Sequence, residues 1–150
     1  MRHHHARNGR NDRLGAVLVE TAIVMPVFLV VLWGILEFGR AMMVGQLTTN
    51  AARYGARAAI LDGSTNSTIT DDVKNFLVKT VSGISPDDVT VEIAVTPGPG
   101  NQNPQNQLSA SRPRDICQVS VSIPYERVAY FSPRFLKNAT LRGMCAMHHE

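Results

Sequence analysis

Residues 14–59 read LGAVLVETAIVMPVFLVVLWGILEFGRAMMVGQLTTNAARYGARAA, and the reading of this stretch decides the fold. From Thr21 to Leu36 no side chain is charged, and from Ala16 to Leu36 only Glu20 is. At about 1.5 Å per helical residue the longer span covers about 30 Å, the thickness of a bilayer core. Apolar residues occur all round the helix from 22 to 36, as expected where every face meets lipid or other apolar helices. Residues 16–36 are therefore predicted to cross a membrane. A core helix of a soluble domain would share the pattern, but the basic leader and the short remaining chain argue against it.

The leader MRHHHARNGRNDR carries Arg2, Arg7, Arg10 and Arg13 against Asp12, which accounts for the whole formal net charge of +3. Residues 16–150 hold eleven basic and eleven acidic side chains. The high pI is thus a property of the tail, and nucleic-acid binding, which needs a basic face on the folded part, is not expected. By the positive-inside tendency the amino terminus stays cytoplasmic and the rest is exported. A cleaved signal peptide also has a basic start and an apolar run. Here, however, the nearest small-x-small triplet, Gly39-Arg40-Ala41, is followed by more helical sequence.

That helical signal continues as Met43, Leu47, Ala51, Tyr54, Ala58 and Leu61, one apolar stripe with no proline between 27 and 61. The chain divides into a basic cytoplasmic leader (1–15), a long helix (16–62) and an exported domain (63–150), with Gly63 suited to a left-handed helix cap. Small residues recur as Ala41, Gly45 and Thr49 and as Ala51, Gly55 and Ala59, a spacing that lets another backbone approach closely or simply favours helix. Pro26 removes a backbone hydrogen bond inside the apolar segment and predicts a helix kink there.

Glu20 is costly inside a membrane unless a cation meets it or it reaches the headgroups. A cut between Gly15 and Ala16 would create an α-amino group at position one, with Glu20 at position five. Glycine before the cut, a basic leader and a carboxylate five residues in form the prepilin processing pattern. The carboxylate can then pair with the free amino terminus of an adjacent subunit in an apolar filament core. A glutamate snorkelling at the bilayer edge is the plainer alternative.

Residues 14–59 resemble the amino-terminal signature of TadE-like proteins of the tight-adherence (Tad) pilus system. The correspondence comprises Gly15, Val19-Glu20, Pro26, the aliphatic run 27–36, Glu37-Phe38-Gly39-Arg40, and Ala51-Ala52-Arg53 through Ala56-Arg57. The resemblance implies a type IV pilin-like protein of the bacterial inner membrane, single-pass, with its carboxy-terminal domain extracytoplasmic or carried into the pilus. It also implies a prepilin peptidase, other pilin-like subunits and the Tad assembly machinery as partners, beside membrane lipid. Thr21 stands where major Tad pilins carry an aromatic residue, which favours a minor pilin. Two other readings remain: an unprocessed single-pass anchor with a binding domain, and a small secreted enzyme behind a signal peptide.

The exported domain is predicted to be α+β, one helix on a roughly three-stranded antiparallel sheet. Thr70-Asp71-Asp72 looks like a helix start, with Val73, Phe76, Leu77 and Val81 on one face. Strands are expected over 89–95, 116–125 and 139–147, where apolar residues alternate. Residues 96–113, with the run PGPGNQNPQNQ, predict a mobile surface loop. Setting Val121 opposite Leu141 would bring Cys117 opposite Cys145, as a disulfide or as two buried thiols.

No catalytic motif is placed: there is no nucleophile elbow, phosphate loop or paired carboxylates, so the chain reads as no enzyme and calls for no cofactor. His3 to His5 and His148-His149-Glu150 lie on opposite sides of the membrane in this topology, which excludes a shared metal site, and read as surface histidines.

Overall fold

The computed structural model describes residues 9–149, with side chains from residue 15 onward. The expected leader lies largely outside this range, as do His3 to His5 and Glu150. The element order is α1 (Gly9–Ala59), α2 (Asn66–Thr80), β1 (Thr90–Thr96), β2 (Ile116–Pro124), α3 (Tyr125–Val128) and β3 (Thr140–His148). Two compact units divide at residue 36, and α1 contributes to both.

In the first unit α1 is continuous through Pro26, and its large apolar side chains stand exposed, among them Leu18, Ile23, Phe28 and Ile35. The helix is long and apolar enough to cross a membrane. It begins at Gly9, so the Gly15–Ala16 bond lies inside the helix and not at its start. At the other end α1 stops at Ala59, three residues before the expected end. The chain then turns through Gly63 at φ +84°, while the Ser64 hydroxyl donates to the Ala58 carbonyl at 2.6 Å.

The second unit is the expected α+β domain. Its sheet has the order β1-β2-β3 with both pairings antiparallel. α2 starts four residues earlier than Thr70 because the Thr65 hydroxyl caps it, accepting from the Thr68 amide at 3.3 Å. Asp71 and Asp72 therefore lie beyond its first turn. Ile69, Val73 and Leu77 are its buried face, and Val81, which follows the helix, is buried beside them.

The buried face of α1 is rotated from the expected stripe. Val44, Thr48, Ala51, Ala52, Ala56 and Ala59 are fully buried, whereas Met43, Tyr54 and Leu61 are exposed. Small side chains win the interior because they let the sheet and α2 come close, and larger ones are left at the flank. A Cβ on Gly55 would meet Val73 Cγ2 at 2.6 Å and Val119 Cγ1 at 3.2 Å. The Ala51, Gly55 and Ala59 set is thus occupied by the chain's own core, while a Cβ on Gly45 would meet only open space.

The β2–β3 register differs from the expectation by two residues. Val121 faces Gly143, Cys117 faces Met147 and Cys145 faces Val119. Both thiols are free, so the directly opposed cysteine pair does not form. A shift of two keeps every side chain on its face, which is why alternation could not choose between the registers. Gly143 makes the choice: it lies against the Thr48–Thr49 peptide of α1, where a Cβ would come within 2.6 Å of the Thr48 carbonyl oxygen. Burial first, and then the Asp115 charge, push the Cys117 thiol up, with a Ser111 hydrogen bond opposing.

Residues 96–113 are tied to the domain. Asn66 donates through Nδ2 to the Asn106 carbonyl at 2.7 Å and accepts the Leu108 amide at 2.9 Å, and the Asn106 side chain accepts the Val95 amide at 3.0 Å. Leu108 is buried. The fully buried Asp115 closes the base of the loop, accepting from the Gly98 amide (2.8 Å), Asn101 Nδ2 (2.7 Å) and the Arg112 amide (2.8 Å). Its backbone carbonyl takes the amide of His149, which is buried and not the surface residue expected.

Burial alone would raise the Asp115 carboxyl, but those hydrogen bonds and the nearby His149 hold it below its ordinary value. A carboxyl lowered on folding contributes stability above its unfolded value, about 3.9, that is lost as pH falls through the folded one. Asp115→Asn should therefore destabilise the domain at neutral pH and flatten the loss of Tm between neutral and acid pH. Circular dichroism melts of both proteins at several pH values check this, and an unchanged pH slope would refute it.

Candidate functional site

Two groups of signature residues lie on α1, one at each end of the apolar run. At the amino-terminal end Gly15, Ala16 and Glu20 lie within two consecutive turns, with exposed positions throughout. Helical spacing sets Ala16 and Glu20 one turn apart on one face. A Cβ at Gly15 would meet nothing within 4 Å, so approach to this position is open.

The other end is built differently. Glu37 and Arg40 are three residues apart, directly after the last residue of the uncharged run, and both are buried, at 6% and 7% exposure. Burial of two charges requires that their hydrogen-bonding capacity be met. One carboxylate oxygen of Glu37 accepts the backbone amides of Phe135 (3.0 Å) and Leu136 (2.6 Å), and the other accepts that of Arg134 (3.2 Å). Three successive amides thereby converge on one carboxylate, the geometry in which charge-assisted hydrogen bonds are strongest.

Arg40 reaches the same region from the next turn. Its Nε donates to the Val128 carbonyl at 2.9 Å, Nη1 to the Tyr130 hydroxyl at 3.1 Å and Nη2 to the Ser82 carbonyl at 3.4 Å. The guanidinium carbon also lies 4.3 Å from the Tyr130 ring centroid. Between them, buried Tyr125 donates its hydroxyl to the Glu37 carbonyl at 2.9 Å. Burial first, and then the Glu37 charge, push the Tyr125 phenol up, with Arg40 opposing.

Glu37 and Arg40 therefore fasten residues 125–136 to the helix just where the uncharged run ends. Phe38 adds a stacked contact with Phe135, centroids 6.4 Å apart. The sequence marked Glu37 to Arg40 as part of a motif but gave no role to either charge, and it left 126–138 without structure. The available signal was a pair of opposite charges one turn apart at the end of an apolar run. Their partners, being mostly backbone groups, carry no sequence signature.

A protein-family model described as TadE-like protein matches residues 15–57. Over that segment the chain is similar to TadE-like proteins. No match was found among curated proteins or among solved structures. The TadE-like segment opens at Gly15 and takes in Glu20, Pro26, the apolar run, Glu37, Arg40 and most of the small buried face. One TadE-like helix segment thus supplies both the apolar span and the wall against which the α+β domain is built. Among the described residues no group of three or more His, Cys, Asp or Glu side chains is placed to hold a metal ion.

Proposed function

We propose that the protein is a minor pilin or pilus-assembly component of a Tad-type system, anchored in the bacterial inner membrane by residues 16–36. Its amino terminus is cytoplasmic and residues 63–150 are extracytoplasmic. The observation that carries this reading is the TadE-like match beginning at Gly15, on a helix whose residues 16–36 expose their apolar side chains. TadE-like proteins are pilus components, so the protein acts by helix packing and subunit contact, without catalysis. A prepilin peptidase cuts between Gly15 and Ala16. The new Ala16 amino group of one subunit then meets Glu20 of its neighbour, which neutralises a carboxylate the apolar surroundings would otherwise exclude.

The alternative of an unprocessed anchor is favoured by one observation: α1 runs unbroken from Gly9 through Gly15, so the peptidase must open a helical turn to reach the bond. The two readings differ in what Glu20 does. On the pilin reading Glu20→Ala leaves membrane insertion intact and reduces incorporation into pili at least tenfold, as sedimented pili probed by immunoblot would report. Incorporation equal to that of the unaltered protein would refute the pairing.

A further inference from the structure

The carboxylate of Glu37 holds residues 134–136 and Arg40 holds Tyr130, yet the side chains these fastenings present point outward. Tyr130 is 69% exposed, Phe131 61%, Phe135 50% and Phe38 50%. Exposure of four aromatic side chains on one tethered segment and its helix is unusual for a free water-facing surface. Arg134 and Lys137 are exposed among them and take part in no ion pair among the described residues. Arg127, by contrast, is satisfied by Asp88 at 3.2 Å.

The position of this patch identifies its occupant. Glu37 follows Leu36 directly, so the segment whose amides bond to Glu37 is tethered to the first residue beyond the apolar run, which is the level at which a span of residues 16–36 leaves hydrocarbon. Aromatic side chains settle at that level with the ring toward the acyl chains, while arginine and lysine extend to headgroup phosphates. We infer that residues 130–137, with Phe38, form an aromatic and basic collar that seats on an acidic lipid surface around the exit of the span. The inference rests on residues 16–36 being membrane-embedded. Its consequence is that the domain is held down on the bilayer before assembly and must be lifted from it when the subunit moves.

The full chain reconstituted in vesicles tests this with two indole positions. Trp33 in the unaltered protein reports the span, and Phe131→Trp in a Trp33→Phe background reports the collar. Vesicles are phosphatidylcholine alone or with phosphatidylglycerol, each with a lipid brominated near the carbonyl end of its chains. The expected result is quenching of both indoles, with collar quenching greater when phosphatidylglycerol is present. Arg134→Gln with Lys137→Gln should then weaken the docked-to-free ratio by about fivefold per residue. Quenching at Trp33 but not at the collar overturns the inference and leaves the span intact; no quenching at either overturns both. Blue-shifted collar emission without lipid quenching assigns the patch to a protein neighbour, and equal quenching in both lipids removes the acidic preference; each contradicts the proposal. Hydrogen exchange of the unaltered chain gives a second reading: the amides of Phe131 and Ser132 should exchange more slowly with phosphatidylglycerol than without, and equal rates contradict it.

Discussion

Gly143→Ala is expected to destabilise the α+β domain by about 3 kcal/mol or more, at or above the upper end of ordinary overpacking. The reason is what the new methyl group would meet. It would fall on the Thr48–Thr49 peptide of α1, 2.6 Å from the Thr48 oxygen. That backbone belongs to a helix whose neighbours Val44, Ala51 and Ala52 are fully buried, so it cannot retreat without opening the interface along its length. The Thr48 and Thr49 hydroxyls are already turned back onto the Gly45 carbonyl at 2.8 and 3.0 Å. Thr48→Ala should therefore fail to rescue Gly143→Ala, because the collision is with main chain. Gly55 provides the contrast. Its added Cβ meets a Val73 side-chain methyl, so Val73→Ala should recover part of the loss in Gly55→Ala. Urea titrations of these single and double variants measure both effects. A Gly143→Ala protein within about 1 kcal/mol of the unaltered one, well below the overpacking range, would contradict the register.

Arg40→Ala is the second large effect, at about 2–4 kcal/mol, from loss of one buried guanidinium that serves two carbonyls, a hydroxyl and a ring. Truncation leaves the Val128 and Ser82 carbonyls without this donor. Arg40→Lys should recover little, since a single ammonium cannot fork to both carbonyls and stack on Tyr130 as well. At the neighbouring position, Glu37→Gln keeps one oxygen for Phe135 and Leu136 but sets an amide group opposite the Arg134 N–H. Hydrogen exchange should accelerate at residues 134–136 in Glu37→Gln and across 125–136 in Arg40→Ala, while the β2 amides of Val119 and Val121 change least. Uniform acceleration across the domain would show that the charges support global stability and no particular attachment.

The class of fold was legible because two periodicities are strong in this chain. A long uncharged run reads as an apolar helix, and 89–95 and 116–125 alternate as half-buried strands do. What escaped was set by contacts between distant residues. The β2–β3 register hung on the approach of Gly143 to α1, and alternation is blind to a two-residue shift. The buried face of α1 was misplaced because hydrophobicity favours Met43, Tyr54 and Leu61, whereas close packing favours alanine, glycine and threonine. The loop looked unstructured by composition, yet its own Asn101 and Asn106, with Asn66 of α2, are what fasten it. Of the candidate site, Gly15 and Glu20 were legible as a pattern, and Glu37 and Arg40 only as letters in a signature.

The central claim is that this TadE-like helix enters the membrane as a pilin does, with Gly15 and Glu20 acting together. Amino-terminal sequencing with intact mass of the protein recovered from its own cells tests that claim most directly. The account predicts a chain beginning at Ala16. A chain still carrying its leader would contradict processing and leave a single-pass anchor, and a start beyond about residue 36, past the end of the apolar run, would contradict the anchor itself.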